Sequence, residues 1–119
     1  QLKDLGFYFP CIISQNSFIS RTAKLGMGCQ IMYRTYVGPN VIIEDDVIVN
    51  TGAIIEHDSL VNSHVHLAPA SCLCGGVNVG EAAFIGAGGI VVPEMDVPKK
   101  FFLEAGNVFN QSSKPVKRS

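Results

Sequence analysis

The sequence lacks the features that mark several large classes of protein. Charged residues make up only 16% of its 119 residues, and the formal net charge is −1. No basic field therefore points to a nucleic acid or an anionic membrane as a partner. No apolar run approaches the roughly 20 residues of a membrane-spanning helix, and no signal-peptide pattern is present. We expect no nucleic-acid partner and no membrane partner.

Cysteine is also scarce, and its spacing does not suggest a metal site. There are four cysteines, and Cys72 and Cys74 are separated by one residue. That separation is too short for the usual spacing of zinc ligands. We expect reduced thiols in a cytoplasmic protein that needs no metal.

One regular pattern is present, because every sixth residue is apolar over most of the chain. Seventeen successive positions fit, and at this apolar content chance would produce such a run with a probability on the order of 10⁻⁶. A strict period of six is typical of a hexapeptide parallel β-helix. The positions are Ile13, Ile19, Leu25, Ile31, Val37, Ile43, Val49, Ile55, Val61, Leu67, Leu73, Val79, Ile85, Val91, Val97, Leu103 and Phe109.

The period predicts the shape of the coil. Side chains alternate along a strand, so the first and fifth residues of each hexad point inward and the third and fourth form a corner. Three hexads make a triangular coil of 18 residues, and residues 18 apart stack at about 4.8 Å. We predict an all-β, left-handed β-helix of five to six coils over residues 13–111, with the hand taken from resemblance to hexapeptide proteins. Residues 1–12 would be a cap or linker remnant and 112–119 a solvated tail.

The last coil breaks part of this pattern. Met95 and Phe101 are large residues at the fifth position of the hexad, which is small or β-branched elsewhere, and Pro98 removes a backbone donor. The sequence therefore predicts that the register weakens toward the end of the repeat and that the last coil is looser or wider.

Two of the three outer faces are mainly apolar, which is unfavourable in water. A closed ring of identical prisms would cover both faces with one heterologous contact, so we predict a homotrimer. The first face carries Ile48, His66, Phe84 and Phe102. The second carries Tyr36, Ile54, Cys72, Ile90 and Val108.

The three histidines lie within ten residues of one another. His57 and His64 fall at corners, whereas His66 projects from the first apolar face. Asp58 follows His57, and a carboxylate beside an imidazole stabilises its protonated form and makes it a better base. Each histidine has a plain structural alternative, a polar corner for His57 and His64 and a hydrogen-bonded interface residue for His66. His57 of one prism could meet His66 of the next in a trimer.

The segment around His57 resembles bacterial sugar acetyltransferases of the PglD/NeuD type. The resembling segments are Val49–Asp58, Val77–Gly80 and Phe84–Gly89, and the likeness covers roughly residues 8–110. That family often has glutamate where this chain has Asp58. It usually also has a nucleotide-binding domain before the β-helix, and a chain that begins at Gln1 suits a cut at that boundary.

The resemblance implies a role for each matching residue. His57 would be the general base, and Asp58 would strengthen it. Asn50 would help to position the acceptor. The donor, acetyl-CoA, would be bound by His66, Gly75, Ala87 and Ala105, with His66 and the Gly75 backbone at the thioester and the two alanines along the pantetheine arm.

The implied function is N-acetylation of a nucleotide-linked sugar in glycan biosynthesis. O-acetylation of a sialic-acid-type sugar is the alternative within the same class. A non-catalytic trimeric scaffold is the alternative of another class. A γ-type carbonic anhydrase would use three histidines on zinc, but His64 and His66 are only two residues apart and nothing else supplies a widely spaced third ligand.

Overall fold

The computed structural model describes residue 6, residues 8–110 and residues 115–116, and within them it contains strands and turns but no helix. Eighteen strands of two residues each follow one another along the chain. Seventeen of them build a parallel β-solenoid of about five turns, which confirms the predicted all-β repeat. They are β1 Ile12–Ile13, β2 Phe18–Ile19, β3 Lys24–Leu25, β4 Gln30–Ile31, β5 Tyr36–Val37, β6 Ile42–Ile43, β7 Ile48–Val49, β8 Ile54–Ile55, β9 Leu60–Val61, β10 His66–Leu67, β11 Cys72–Leu73, β12 Asn78–Val79, β13 Phe84–Ile85, β14 Ile90–Val91, β15 Asp96–Val97, β16 Phe102–Leu103, β17 Val108–Phe109 and, outside the solenoid, β18 Pro115–Val116.

Three sheets form the sides of the prism, and every third strand belongs to the same sheet. The first sheet has the order β1-β4-β7-β10-β13-β16. The second has β2-β5-β8-β11-β14-β17 with β18 added at its end, and the third has β3-β6-β9-β12-β15. Parallel partners are 18 residues apart, as in the pairing of His66 with both Ile48 and Phe84. The predicted 18-residue coil is therefore confirmed, while its left-handedness stays a prediction.

The core is the column of inward side chains along the prism axis. Large apolar residues at the first hexad position, such as Ile55, Leu67 and Leu73, have no exposed surface. Burying each such side chain stabilises the fold by about 1.5–3 kcal/mol. At the first coil the column is open, because Ile13 points inward yet remains 48% exposed.

The corners have a backbone conformation that the repeat imposes. We call the corners after the first, second and third sheets the first, second and third edges. The fourth residue of every hexad from residue 28 to residue 106 has a positive φ, as the second central residue of a type II turn requires. Only five of these fourteen residues are glycine; the others are Arg34, Asn40, Asp46, Asp58, His64, Ala70, Ala82, Glu94 and Lys100.

The predicted weakening of the register at the last coil is wrong. β15, β16 and β17 pair with the preceding coil in the same 18-residue register as the strands before them. Phe101 fits because its ring packs edge-on against Phe109, with 5.1 Å between ring centroids. β18 pairs antiparallel with β17, so residues 115–116 of the predicted tail lie along the second sheet. The rest of that tail, and residues 1–5 and 7 of the predicted cap, lie outside the described residues.

Candidate active site

His57 lies on the second edge, between β8 and β9, with an aspartate as its next residue. The His57 Nδ1 atom is 2.9 Å from the Asp58 Oδ2 atom. A carboxylate can only accept, so this bond puts a proton on Nδ1 and leaves Nε2 of the neutral ring with a lone pair. Asp58 reaches the ring from a left-handed backbone, φ 62°, which aspartate tolerates better than most residues. The two side chains are 60% and 59% exposed.

Gly75 occupies the same place on the second edge one coil later. The backbone N–H of Gly76 donates to the His57 carbonyl oxygen at 2.9 Å, which fixes the two corners against each other. A Cβ atom placed on Gly75 would lie 2.5 Å from the His57 Nε2 atom. The imidazole therefore lies directly against the Gly75 backbone, a contact that the sequence interpretation did not include.

His66 projects from the middle of the first sheet and is linked to the first edge by Asn50. The Asn50 Nδ2 atom lies 3.4 Å from the His66 Nε2 atom. The orientation of the amide is set by its other end, because the Asn50 Oδ1 atom accepts from the Thr51 N–H at 2.8 Å. His66 thus accepts at Nε2, and the Nδ1 atom of the neutral ring has the proton.

An aromatic stack continues from His66 along the first sheet. Phe84 meets His66 edge-on at 5.0 Å between ring centroids. It also stacks nearly parallel on Phe102 at 4.9 Å, and Phe102 is 61% exposed. On the second sheet Phe18 stacks on Tyr36 at 5.4 Å. Aromatic surface of this extent on two faces is typical of a protein contact.

Ala87 and Ala105 are exposed and lie one above the other on the first edge. The N–H of Gly106 donates to the Ala87 carbonyl oxygen at 2.9 Å, which joins the two corners. Because their side chains are small, the backbone along this edge is accessible. Thr51, next to Asn50, occupies the corresponding corner position two coils before Ala87.

Within one chain the candidate residues form two groups. His57, Asp58 and Gly75 share the second edge, whereas His66 lies on the first sheet and Asn50, Ala87 and Ala105 line the first edge. The second sheet separates the two edges. A thioester touched by both His66 and Gly75 therefore cannot be bound by a single chain, and the two groups can meet only if one copy presents its second edge to the other group on a neighbouring copy.

The remaining corner histidine has a different environment. His64 lies on the third edge, and its Nδ1 atom is 3.7 Å from the Asp46 Oδ2 atom of the preceding coil. One coil further on, the corresponding position is occupied by Ala82. Among the described residues, no group of three His, Cys, Asp or Glu side chains is arranged to hold a metal ion.

One thiol near this site, that of Cys72, has a raised pKa. Burial, and after it the neighbouring Cys74 and the charge of Glu56, raise the pKa of Cys72 to about 11. A thiol with that pKa is protonated at neutral pH, and the reactive form is the thiolate. Cys72 therefore offers no thiolate for a covalent intermediate at neutral pH.

The six-residue repeat and the three-sheet solenoid define a hexapeptide-repeat parallel β-helix. Solved structures of acetyltransferases have this fold and resemble the chain in sequence. One is a mutant of GDP-perosamine N-acetyltransferase from Caulobacter crescentus in complex with CoA and GDP-perosamine. It is 36% identical, with a TM-score of 0.86 over 89% of this chain and 50% of that one. Another is the acetyltransferase domain of PglB from Neisseria gonorrhoeae in complex with acetyl coenzyme A, 29% identical, with a TM-score of 0.85 over 96% of this chain and 61% of that one.

The resemblance to sugar acetyltransferases expected from the sequence is therefore confirmed. Two curated relatives are bifunctional GlmU proteins, from Corynebacterium diphtheriae at 27% identity and from Corynebacterium jeikeium at 31%, each over 93 residues. The chain spans 19% of the length of these curated relatives, and 73% of its own length is matched. No family model matches the chain. None of its described residues forms a helix long and apolar enough to cross a membrane.

Proposed function

We propose that this chain is the catalytic β-helix of an acetyl-CoA-dependent sugar N-acetyltransferase. The observation behind the proposal is the His57 imidazole, held on an exposed edge between the Asp58 carboxylate and the Gly75 backbone. Proteins with the same solenoid bind CoA and a nucleotide-linked sugar. Because the GDP-perosamine enzyme is an N-acetyltransferase, it favours an amine acceptor over the hydroxyl of a sialic-acid-type sugar.

In the proposed reaction the acceptor attacks the donor directly. The sugar amine forms a C–N bond to the thioester carbonyl carbon, and the C–S bond breaks. His57 takes a proton from the amine at Nε2 and returns one to the departing CoA thiolate, so an amine and acetyl-CoA become an amide and CoA. A base in this position contributes about 10²–10⁴-fold to the rate. Asp58 holds the Nδ1 proton, which keeps the lone pair on Nε2.

The donor would lie between two copies of the chain. His66 and the Gly75 N–H would bind the thioester oxygen, where a backbone donor stabilises the oxyanion. Ala87 and Ala105 would line the pantetheine arm, because small side chains let a long, thin ligand approach the backbone. Asn50 would orient the acceptor with the amide edge that is not bonded to Thr51, in addition to its contact with His66.

Three copies in a ring would complete each site. The apolar faces built on Phe84 and Tyr36 need cover, and a heterologous contact repeated three times closes without an exposed end. Such a ring would bring the second edge of one copy to the first sheet of the next. We place the enzyme in the cytoplasm, in glycan biosynthesis, where its four free thiols stay reduced.

Mixing two inactive variants of the full-length protein tests both the ring and the shared site. His57→Ala and His66→Ala each remove one group from every site, so each homotrimer should be slow. If a site takes His57 from one copy and His66 from the next, random assembly of equal amounts gives about one intact site in four, and about a quarter of wild-type turnover. Turnover is followed as CoA released from acetyl-CoA with nucleotide-linked amino sugars. A mixture that stays as slow as its components, after exchange of subunits is confirmed, would place both histidines in one chain's site.

A direct binding measurement tests the donor assignment. We expect calorimetry to detect acetyl-CoA binding that weakens in His66→Ala and changes little in His57→Ala, since His57 serves the acceptor. The absence of any CoA binding at millimolar concentration would favour a non-catalytic scaffold instead.

A further inference from the structure

We propose that Gly75 is a positioning residue, and that its missing side chain makes the space in which the His57 imidazole is held. This inference rests on the proposed function, because it concerns how the general base is oriented. This role is separate from that proposed for the Gly75 N–H at the thioester. The space for the imidazole exists because the Cα atom has no side chain, whereas the N–H is present in any residue except proline. Gly75 need not touch either substrate to act in this way.

The contact is tighter than any alanine could allow. A Cβ atom on Gly75 would lie 2.5 Å from Nε2, 2.6 Å from Cε1 and 3.2 Å from Cδ2 of His57. Real Cβ atoms essentially never come within 3.0 Å of a heavy atom outside their own and adjacent residues. The nearest of these atoms, Nε2, lies across the ring from the Nδ1 atom that bonds Asp58. The imidazole is thus fixed on one side by the carboxylate and on the other by the Gly75 backbone.

The backbone conformation at residue 75 does not require glycine. Gly75 has no positive φ, unlike Gly76 beside it at 69°. The same corner position on this edge is occupied by Pro39 one coil before His57 and by Pro93 one coil after Gly75. A corner that accepts a proline ring does not require glycine for its own turn. What distinguishes residue 75 is that His57 lies against it.

A methyl group at position 75 would change the direction of the base more than the stability of the fold. The ring is the exposed end of a side chain, so it can rotate out of the way while the coil stays intact. Rotation would break the 2.9 Å bond to Asp58 and move Nε2. A displacement of about 1 Å in a reacting group can cost about 10²-fold in rate.

The adjacent glycine supplies a matched control. A Cβ atom on Gly76 would approach only Glu94, at 3.3 Å from Cγ, and not His57. Alanine already occupies this left-handed corner position at Ala70 and Ala82, with φ of 61° and 62°. Gly76→Ala therefore disturbs the same corner by the same methyl group without touching the imidazole.

The test is a double-mutant cycle in the full-length protein. Gly75→Ala should lower kcat about 10²-fold with little change in the KM for acetyl-CoA, whereas Gly76→Ala should stay within about threefold of wild type. Once His57 is alanine the clash is gone, so Gly75→Ala in the His57→Ala background should cost nothing further. Losses that multiply in the double variant, or wild-type kcat in Gly75→Ala, would overturn the inference.

An NMR readout separates this inference from the proposed function. The imidazole signals of His57 should shift in Gly75→Ala and remain in place in Gly76→Ala. The melting temperature should stay close to wild type in Gly75→Ala and fall in Gly76→Ala, where the positive φ strains any side chain. If His57→Ala keeps full turnover while the imidazole signals respond as expected, the assignment of the base fails and the positioning contact stands. If His57→Ala is slow but Gly75→Ala leaves the imidazole signals unchanged, only the positioning role fails.

Discussion

Two histidines occupy corners of the same solenoid, and their surroundings differ in three respects. His57 on the second edge has Asp58 at 2.9 Å, and the backbone of Gly75 lies against its ring. His64 on the third edge has its carboxylate, Asp46, at 3.7 Å and one coil away. His64 also has Ala82 rather than glycine at the following coil. Finally, the side chain of His57 is 60% exposed and that of His64 is 44% exposed.

The comparison shows that a corner histidine becomes a candidate base through its neighbours. At 3.7 Å a charged pair between exposed groups is a weak interaction that does not fix the tautomer. At 2.9 Å, with a second contact on the opposite side of the ring, the direction of the lone pair is defined. The distinction can be tested by substituting residues at the second edge and comparing the effects with that of substituting His64 on the third edge.

The largest effect should come from disrupting the aromatic stack of the first sheet, which in the proposed ring faces the second edge of the next copy. Phe84→Lys would place an ammonium group in the apolar contact, and an unpaired buried charge costs about 3–5 kcal/mol. We expect the ring to dissociate and turnover to fall to background. Light scattering should give the mass of one chain. An exposed-face control, Lys24→Ala on the third sheet, should leave the mass unchanged.

His57→Ala should produce the next largest effect. It should lower turnover by about 10²–10⁴-fold, which is the usual contribution of a positioned base. Acetyl-CoA affinity measured by calorimetry should change little. A variant that keeps more than a tenth of wild-type turnover would contradict the role of base.

Asp58→Asn should have an intermediate effect. Asparagine also tolerates the left-handed corner, so the fold is retained while the charged acceptor is lost. A hydrogen bond to a charged group corresponds to about 10- to 100-fold in rate. The measurement is kcat with its pH profile. A kcat equal to wild type would mean that the 2.9 Å contact does not orient His57.

His64→Ala should have the smallest effect, within about twofold in turnover and in acetyl-CoA affinity. Its place on the third edge gives it no contact with any candidate site residue. Equal losses for His57→Ala and His64→Ala would show that both act through general destabilisation, and melting temperatures measured on the two variants would reveal it.

Much of this molecule follows from its period. A repeat of six gave the strands, the inward positions and the 18-residue register, because each coil must bury the same face against the next. The direct contact of His57 with Gly75 also follows from an 18-residue separation, and counting coils from His57 would have found it. The left-handed corners were less visible, because only five of fourteen are glycine and the repeat imposes the strain on residues such as Arg34 and Lys100.

Other features depend on side-chain detail that a period does not contain. Asn50 and His66 are 16 residues apart, so their contact is diagonal across coils and depends on rotamers and on the Thr51 N–H. The register survives Met95 and Phe101 because a large side chain at the end of the prism can pack against Phe109.

The fixed 18-residue spacing also determines where the molecule opens first. Each coil is supported only by the coil before it and the coil after it, so opening starts at the ends and moves inward. At the first coil Ile13 is already half exposed, whereas His57 and Gly75 belong to the third and fourth coils of the stack. Amide hydrogen exchange should accordingly be slowest around these two coils, and fraying at the ends should leave the contact between His57 and Gly75 in place.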